Sequence, residues 1–366
     1  MGGANDCKAS RDDGSDAKTS FVEEVLVMPV LRILGWSGYD EGLRRAFAAF
    51  EADSGIRVLF RGVRNQDEMF EEASTGAFDI ACPTTDRLAS WYGAGLIRPL
   101  NDQRVGFDGI ETTFHADAQT LIEGRRYGSP NLWGGAGIGY DPTVVSFGAD
   151  RASLMDLFDP AYAGRLAMRE DTAMVAAGRA LEASDALPFP FDDSYRSEAR
   201  MLANYDVIVR FLIDRRRHVA RFWFSEDEAI EAFASRACAI GYNWDTTIAA
   251  LRKRGLPFMF MAPAEGANCY LQNFVVAAAA PQGAAEDWIA WVNTPRGGAL
   301  YAAGYGAFSP VRGAHAYMAS EDRAYLEAAY PQEALRDLWW QPTQPLWFVR
   351  HREIYARQYV AAAAVP

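Results

Sequence analysis

The chain has 366 residues, 50% of them apolar and 23% charged, so it is long enough for two domains or one domain with two lobes, and apolar enough to bury a core. Its formal charge of −12, from 36 Lys and Arg against 48 Asp and Glu, repels phosphate backbones and anionic lipid and excludes nucleic acid as the expected partner. No apolar run is long enough to span a bilayer, because the candidate at residues 21–34 is interrupted by Glu23, Glu24, Pro29 and Arg32.

Residues 1–20 are polar, small and charged, without the basic start and apolar stretch of a secretory signal, and read as a disordered or tag-like end. Residues 31–36 read as a strand. The next segment, 41–55, reads as a helix with Leu43, Phe47 and Phe50 on one stripe and Gly55 beyond its end. A strand at 56–63, a weaker helix at 65–76, a strand at 78–83 and a helix from 84, capped by Thr84, Thr85 and Asp86, continue the alternation. This order predicts an α/β architecture around a largely parallel sheet. Residues 128–142, dense in Gly and Pro around Trp133, predict a hinge between lobes rather than the interior of an element. Beyond it the pattern predicts a long helix near 200–216, strands at 237–244, 258–263 and 270–278, and a helix over 285–293. Cys7, Cys82, Cys238 and Cys269 form no CxxC pair, so buried thiols or at most one disulfide are expected.

The usual hydrolase, NTPase and zinc signatures (GxSxG, a phosphate loop, HExxH) are all missing, which predicts a protein that is not an enzyme and needs no cofactor or metal. GGAGIG at 134–139 looks superficially like a dinucleotide loop, but Tyr140 stands in place of its last glycine, and a hinge is the better reading. His115, His218, His315 and His351 are isolated from one another and from any recurring carboxylate spacing, and none is nominated. What the composition does supply is 10 Trp and 16 Tyr in an acidic chain, the raw materials for cages around organic cations.

Three stretches, in this order, carry a likeness to a known family. The first runs from Leu31 to Asp102, with the turn Trp36-Ser37-Gly38-Tyr39 and the strand end Asp79-Ile80-Ala81-Cys82-Pro83-Thr84. The second is Tyr127-Gly128-Ser129-Pro130-Asn131-Leu132-Trp133-Gly134. The third runs from Ile240-Gly241-Tyr242-Asn243-Trp244 through Trp288-Ile289-Ala290-Trp291 to Gly304-Tyr305 and Ser309-Pro310. Together they resemble the polyamine-binding subgroup of periplasmic solute-binding proteins, the receptors of spermidine/putrescine ABC importers. The resemblance implies an α/β, two-lobed periplasmic-binding-protein type II fold with the ligand cleft between the lobes. Lobe 1 would comprise 30–134 plus about 271–316, lobe 2 about 135–270 plus 317–366, with the hinge near 128–140. It further implies a periplasmic monomer that closes on a small amine and presents it to an ABC permease in the membrane, although no signal peptide is visible. A signal-less two-lobed ligand sensor outside transport is the alternative.

Carried over residue by residue, the family's cation-stacking rings fall on Trp36, Trp244, Tyr270 and Tyr305. Tyr39 serves as a ring or hydroxyl donor, Thr84 stands in place of a Ser, and Asp171 is the central carboxylate. Two of the family's anchoring acids are replaced, one by Gln272 and one by Met174, which disfavours a long tri-cation, since an amide cannot neutralise a buried ammonium. Asp86, Asp245 and Asp40 are the substitutes in reach, the first equally readable as a helix cap and the second as a solvated turn. A ligand with one amine, or a zwitterion whose carboxylate meets Arg169 or backbone donors, fits at least as well. Trp36 and Trp244 could instead be core rings, whereas Tyr270 and Gln272, two apart on a strand, must share one face.

Overall fold

The computed structural model describes residues 1–2, 28–148 and 151–362; residues 3–20 of the polar N-terminal segment, with Cys7, lie outside the described residues. The first half runs β1 (Val30–Trp36), α1 (Asp40–Ser54), β2 (Arg57–Val63), α2 (Gln66–Ser74), β3 (Ile80–Ala81), α3 (Leu88–Gly93) and β4 (Ile97–Arg98), followed by α4 (Asp117–Thr120) and the hairpin β5 (Leu121–Ile122) and β6 (Arg125–Arg126). β7 (Ser129–Tyr140) then leads into the second half: β8 (Leu166–Arg169), α5 (Thr172–Ala183), α6 (Glu198–Asp214), β9 (Val219–Trp223), α7 (Glu226–Ala234), β10 (Ile240–Trp244), α8 (Asp245–Lys253) and β11 (Met259–Met261). β12 (Asn268–Ala277) returns to the first half, where α9 (Ala284–Val292) and α10 (Pro295–Tyr305) complete it; α11 (Ser320–Ala329), β13 (Trp339–Trp340) and α12 (Leu346–Ala361) finish the second.

The strands form two halves joined through shared members, in the order β2-β1-β3-β12-β7-β10-β8-β9. β1 pairs in parallel with β2 and β3, and β8 in parallel with β10 and β9. The expectation of a largely parallel sheet fails at the centre: β7 runs antiparallel to β10, β11 and β12, and β12 antiparallel to β3 and β4. A chain that goes out along one strand and comes back along its neighbour has to pair that way. The β12 ladder against β7 also shifts register between Gln272 and Asn273.

The Gly-rich segment is a strand interior, not a loop. All 12 residues of β7 are buried, and its glycines are required by rings lying on the strand: a Cβ on Gly134 would stand 2.4 Å from the Tyr270 hydroxyl, and one on Gly137 2.7 Å from Phe260. Close approach of side chains, and not turn geometry, explains the composition. Elsewhere the strand predicted at 78–83 shrinks to two residues, and the helix from 84 opens with a 3-10 turn at Thr85–Arg87 for which Thr84 makes no side-chain cap.

Each half has its own core. α1 buries Leu43, Ala46 and Phe50, carries Asp40 and Glu41 where the helix dipole favours acids, and ends at Gly55 with φ 70°. Its buried face meets α9 and α10 around Trp288 and Phe274. α1 and α10 touch through glycines, since a Cβ on Gly42 would be 2.2 Å from the Gly304 carbonyl oxygen. That contact brings the start of α1 and the end of α10 side by side. In the second half α5, α6 and α12 cover β8 and β10 with Met174, Tyr205, Ile208, Phe348 and Tyr359. Cys82, Cys238 and Cys269 are buried free thiols. No described helix is long and apolar enough to cross a membrane.

Candidate ligand-binding site

The carboxyl ends of β1, β3, β8, β9 and β10 carry most of the nominated residues, as expected where helices leave an open α/β sheet. From the first half come Trp36, which ends β1, and Tyr39, which precedes α1. The Gly42–Gly304 contact sets the Tyr39 ring 4.6 Å from that of Tyr305, the last residue of α10. Trp36 Nε1 donates to Gln272 Oε1 at 2.6 Å, and Gln272 Nε2 donates to Asn131 Oδ1 at 3.1 Å and to the Tyr301 hydroxyl at 3.2 Å. Thr84 bridges to Gln272 through the backbone, accepts from Gln66 Nε2 at 2.8 Å and donates its hydroxyl to Asp86 at 2.5 Å. Asp86 is held in turn by Arg87, 3.4 Å away. Six nominated residues, Trp36, Tyr39, Thr84, Asp86, Gln272 and Tyr305, therefore line one wall.

Tyr270 lies on β12 with its hydroxyl over Gly134, and Asp245 reaches the same face of that glycine. Asp245 is neither a solvated turn residue nor an exposed acid. It is 1% exposed, and its carboxylate accepts from the backbone N–H of Gly135 and Thr246 and from the Tyr330 hydroxyl at 2.9, 2.8 and 2.7 Å. Burial pushes its carboxyl up to about 7, against those three donors. Met174, where the family's second acid would stand, is fully buried in the α5 core and faces no cleft.

Asp171 and Trp244 belong to a different group of contacts. Arg169 ends β8, directly paired with Trp223 at the end of β9, while Trp244 ends β10 on the other side. The Arg169 guanidinium lies over both indoles, 5.2 Å from the Trp244 ring and 5.7 Å from that of Trp223. The indole nominated to stack on a ligand cation thus carries the chain's own cation. Asp171 pairs with the same guanidinium at 3.1 Å from Nε, misaligned for a hydrogen bond, so it is not an uncompensated acid. Glu170 beside it is held above the usual carboxylate range by burial and by the Asp171 charge. Arg169, Glu170 and Asp171 line a cavity of about 610 Å³ whose far wall is α12, with Arg352, Glu353 and Arg357.

One functional candidate escaped the sequence reading. Glu226 is the first residue of α7, whose N-cap Ser225 accepts from the Glu228 N–H. Its carboxylate accepts from the Tyr39 hydroxyl at 2.5 Å, across the junction of the two halves, and from the hydroxyl of Thr246. Burial, and next the Glu226 charge, hold the Tyr39 hydroxyl well above its ordinary range, so it stays a neutral donor. Among the described residues Glu226 forms no ion pair with Lys, Arg or His. The signal was available: Glu226 follows the end of β9 as Trp36 follows the body of β1, but Ser-Glu-Asp-Glu reads equally as a solvated first helical turn.

Residues 45–324 match the family of bacterial extracellular solute-binding proteins. The chain belongs to this family. It is a solute-binding protein and not an enzyme, and the family is one of extracellular proteins. Among solved structures, the spermidine/putrescine ABC transporter substrate-binding protein PotD from Streptococcus pneumoniae shares the fold with a TM-score of 0.76 at 18% identity, covering 91% of this chain and 98% of its own. MotA from Agrobacterium tumefaciens, in complex with glucopine, gives 0.67 at 15% identity over 91% and 98%. The putrescine-binding periplasmic protein SpuD of Pseudomonas aeruginosa is 25% identical over 122 residues, so the match spans about a third of the length of this curated relative and of this chain. The two-lobed α/β architecture is the periplasmic-binding-protein type II fold of these structures.

Proposed function

We propose that this chain is the substrate-binding component of an ABC importer, that it takes up a small amine by closing its two lobes, and that it hands the amine to a membrane permease. The observation that carries the reading is the bond from Tyr39 on one lobe to Glu226 on the other, which sets an acid that has no cation partner among the described residues beside the rings of Tyr39, Tyr270 and Tyr305. An ammonium leaving water needs such an acid and such ring faces. Because both lobes supply the contacts, the ligand binds the closed arrangement better than the open one and shifts the population towards it. The site residues of this reading are Glu226, Tyr39, Trp36, Tyr270 and Tyr305, with Gln272, Thr84 and Asp86 on the same wall.

The polyamine-binding relatives support an amine ligand, while neighbours of the same fold that hold ligands as different as glucopine leave the class to the site itself. The test is titration calorimetry of the purified chain with putrescine, spermidine and 4-aminobutyrate, together with mass spectrometry of any small molecule that copurifies. The reading expects at least one amine to bind and Glu226→Gln to weaken it about a hundred-fold, the scale for losing a charged contact to a buried ammonium. Unaltered affinity in that variant, or a copurified ligand without nitrogen, would overturn it.

A further inference from the structure

The carboxyl ends of β8, β9 and β10 gather around a cation that belongs to the protein. Arg169 is fixed by three neighbours: the indole of Trp223, the indole of Trp244 and the carboxylate of Asp171. The first two come from the strands on either side of β8 and pack edge-to-face on each other, ring centroids 5.1 Å apart at 71°, so the guanidinium caps the indole pair from one side. Contact with two rings holds the cation in place. Asp171 approaches Nε, and among the described residues no hydrogen bond from Arg169 to a side chain or carbonyl is formed. The Nε atom itself is buried without an aligned acceptor. The same guanidinium lines the cavity beneath α12, where Arg352 and Arg357, with Glu353 between them, face Glu170 and Asp171. A second ligand ammonium placed here would lie against a fixed cation. A planar anion would meet a fork of paired donors shaped for it.

Resting on the amine-receptor reading above, we propose that the ligand is a zwitterion, an amino acid or an amino-acid conjugate, whose amine is taken by Glu226 and whose carboxylate is taken by the exposed edge of Arg169. The two groups follow the carboxyl ends of adjacent parallel strands, Arg169 closing β8 and Glu226 following β9, so both lie along the same edge of the sheet, where the proposed ligand would lie across the strand ends. Trp223 and Trp244 are positioning residues for the guanidinium and do not form a cage for the guest.

The test uses matched pairs of equal chain length, putrescine against 4-aminobutyrate and cadaverine against 5-aminovalerate, titrated into the full chain and into Arg169→Gln and Arg169→Lys. In the pair of the preferred length, the carboxylated member should bind at least about ten-fold more tightly than the diamine, the scale of one charge-assisted contact. Arg169→Gln should abolish that preference, and Arg169→Lys, which keeps the charge but not the fork, should fall between. Melting curves of each variant show whether it is folded. Diamines binding as tightly as their partners in both pairs, or a preference untouched in Arg169→Gln, would overturn the zwitterion and leave an amine receptor standing. Absence of binding by every member of both pairs removes the amine reading itself and the zwitterion with it.

Discussion

Tyr39 and Glu226 stand 187 positions apart in the chain, yet the hydroxyl of one donates to the carboxylate of the other at 2.5 Å. Tyr39 is fixed from behind by Tyr305, through the glycine contact of α1 with α10. Glu226 is fixed by α7 and by Thr246 at the start of α8. The bond therefore reports the relative position of two rigid walls.

Tyr39→Phe removes the donor and keeps the ring. The loss of a hydrogen bond to a charged acceptor is worth about 1.5 to 3 kcal/mol, and the ligand-free protein should shift towards its open arrangement. Small-angle scattering should show a larger radius of gyration without ligand, and ligand affinity should fall roughly ten-fold. Identical scattering curves for the two proteins would contradict the role of this bond.

Gln272→Asp places an acid where the polyamine binders carry one. Trp36 Nε1 already donates to this position, and the Tyr301 hydroxyl lies 3.2 Å from it and can turn to donate as well. Putrescine affinity should rise about ten-fold or more, because a carboxylate offsets an ammonium that an amide cannot. Titration calorimetry measures this directly, and weaker putrescine binding by the variant would show that position 272 faces away from the guest.

Gly134→Ala drives a Cβ to 2.4 Å from the Tyr270 hydroxyl and 2.9 Å from Asp245 Oδ1. Overpacking of this kind costs about 1 to 3 kcal/mol, and it displaces a ring of the site, so melting temperature and affinity should fall together. Gly93→Ala is the control, since nothing lies within 4 Å of its Cβ.

Asp245 supplies a pH dependence whose sign follows from burial. Its carboxyl is pushed up to about 7 in the folded chain, whereas an unfolded Asp titrates near about 4. Between those values the folded protein holds a proton that the unfolded chain has lost. This group therefore favours folding at the acid end of the window, and the advantage is gone once pH has risen through about 7. Compared with Asp245→Asn, the parent should lose stability from about pH 4 to about pH 7 and level off above that, by up to about 1.4 kcal/mol per pH unit within the window. Denaturant unfolding at several pH values gives the difference, and parallel curves for the two proteins would show that Asp245 does not titrate in this range.

Much of the first lobe was legible because its periodicities are local. The stripe of α1, its terminal Gly55 and the strand-helix alternation follow from neighbours in sequence, and so did the place of Trp36 and Tyr39 at strand ends. β7 was illegible because its glycines answer to Tyr270 and Phe260, which arrive from distant strands, and composition alone cannot separate such a strand from a turn. Trp244 was recognised as a ring at a strand end, but its occupant, Arg169, depends on β8 lying between β9 and β10, a strand order that no local pattern states. Asp245 was placed beside the cleft, yet its three donors come from β7, α8 and the residue after α11, so its burial could not be read.

The interrupted ladder at Gln272 and Asn273 has a mechanical consequence. β7 and β12 carry the chain between the lobes side by side, so any rocking of one lobe against the other must flex this two-stranded ribbon, and it yields most readily where its rungs are missing. That soft spot adjoins the amide clamped by Trp36, Asn131 and Tyr301. In the proposed reading, a guest held by Trp36 would pull on the flexure itself and couple occupancy to lobe angle without any relay of intervening side chains.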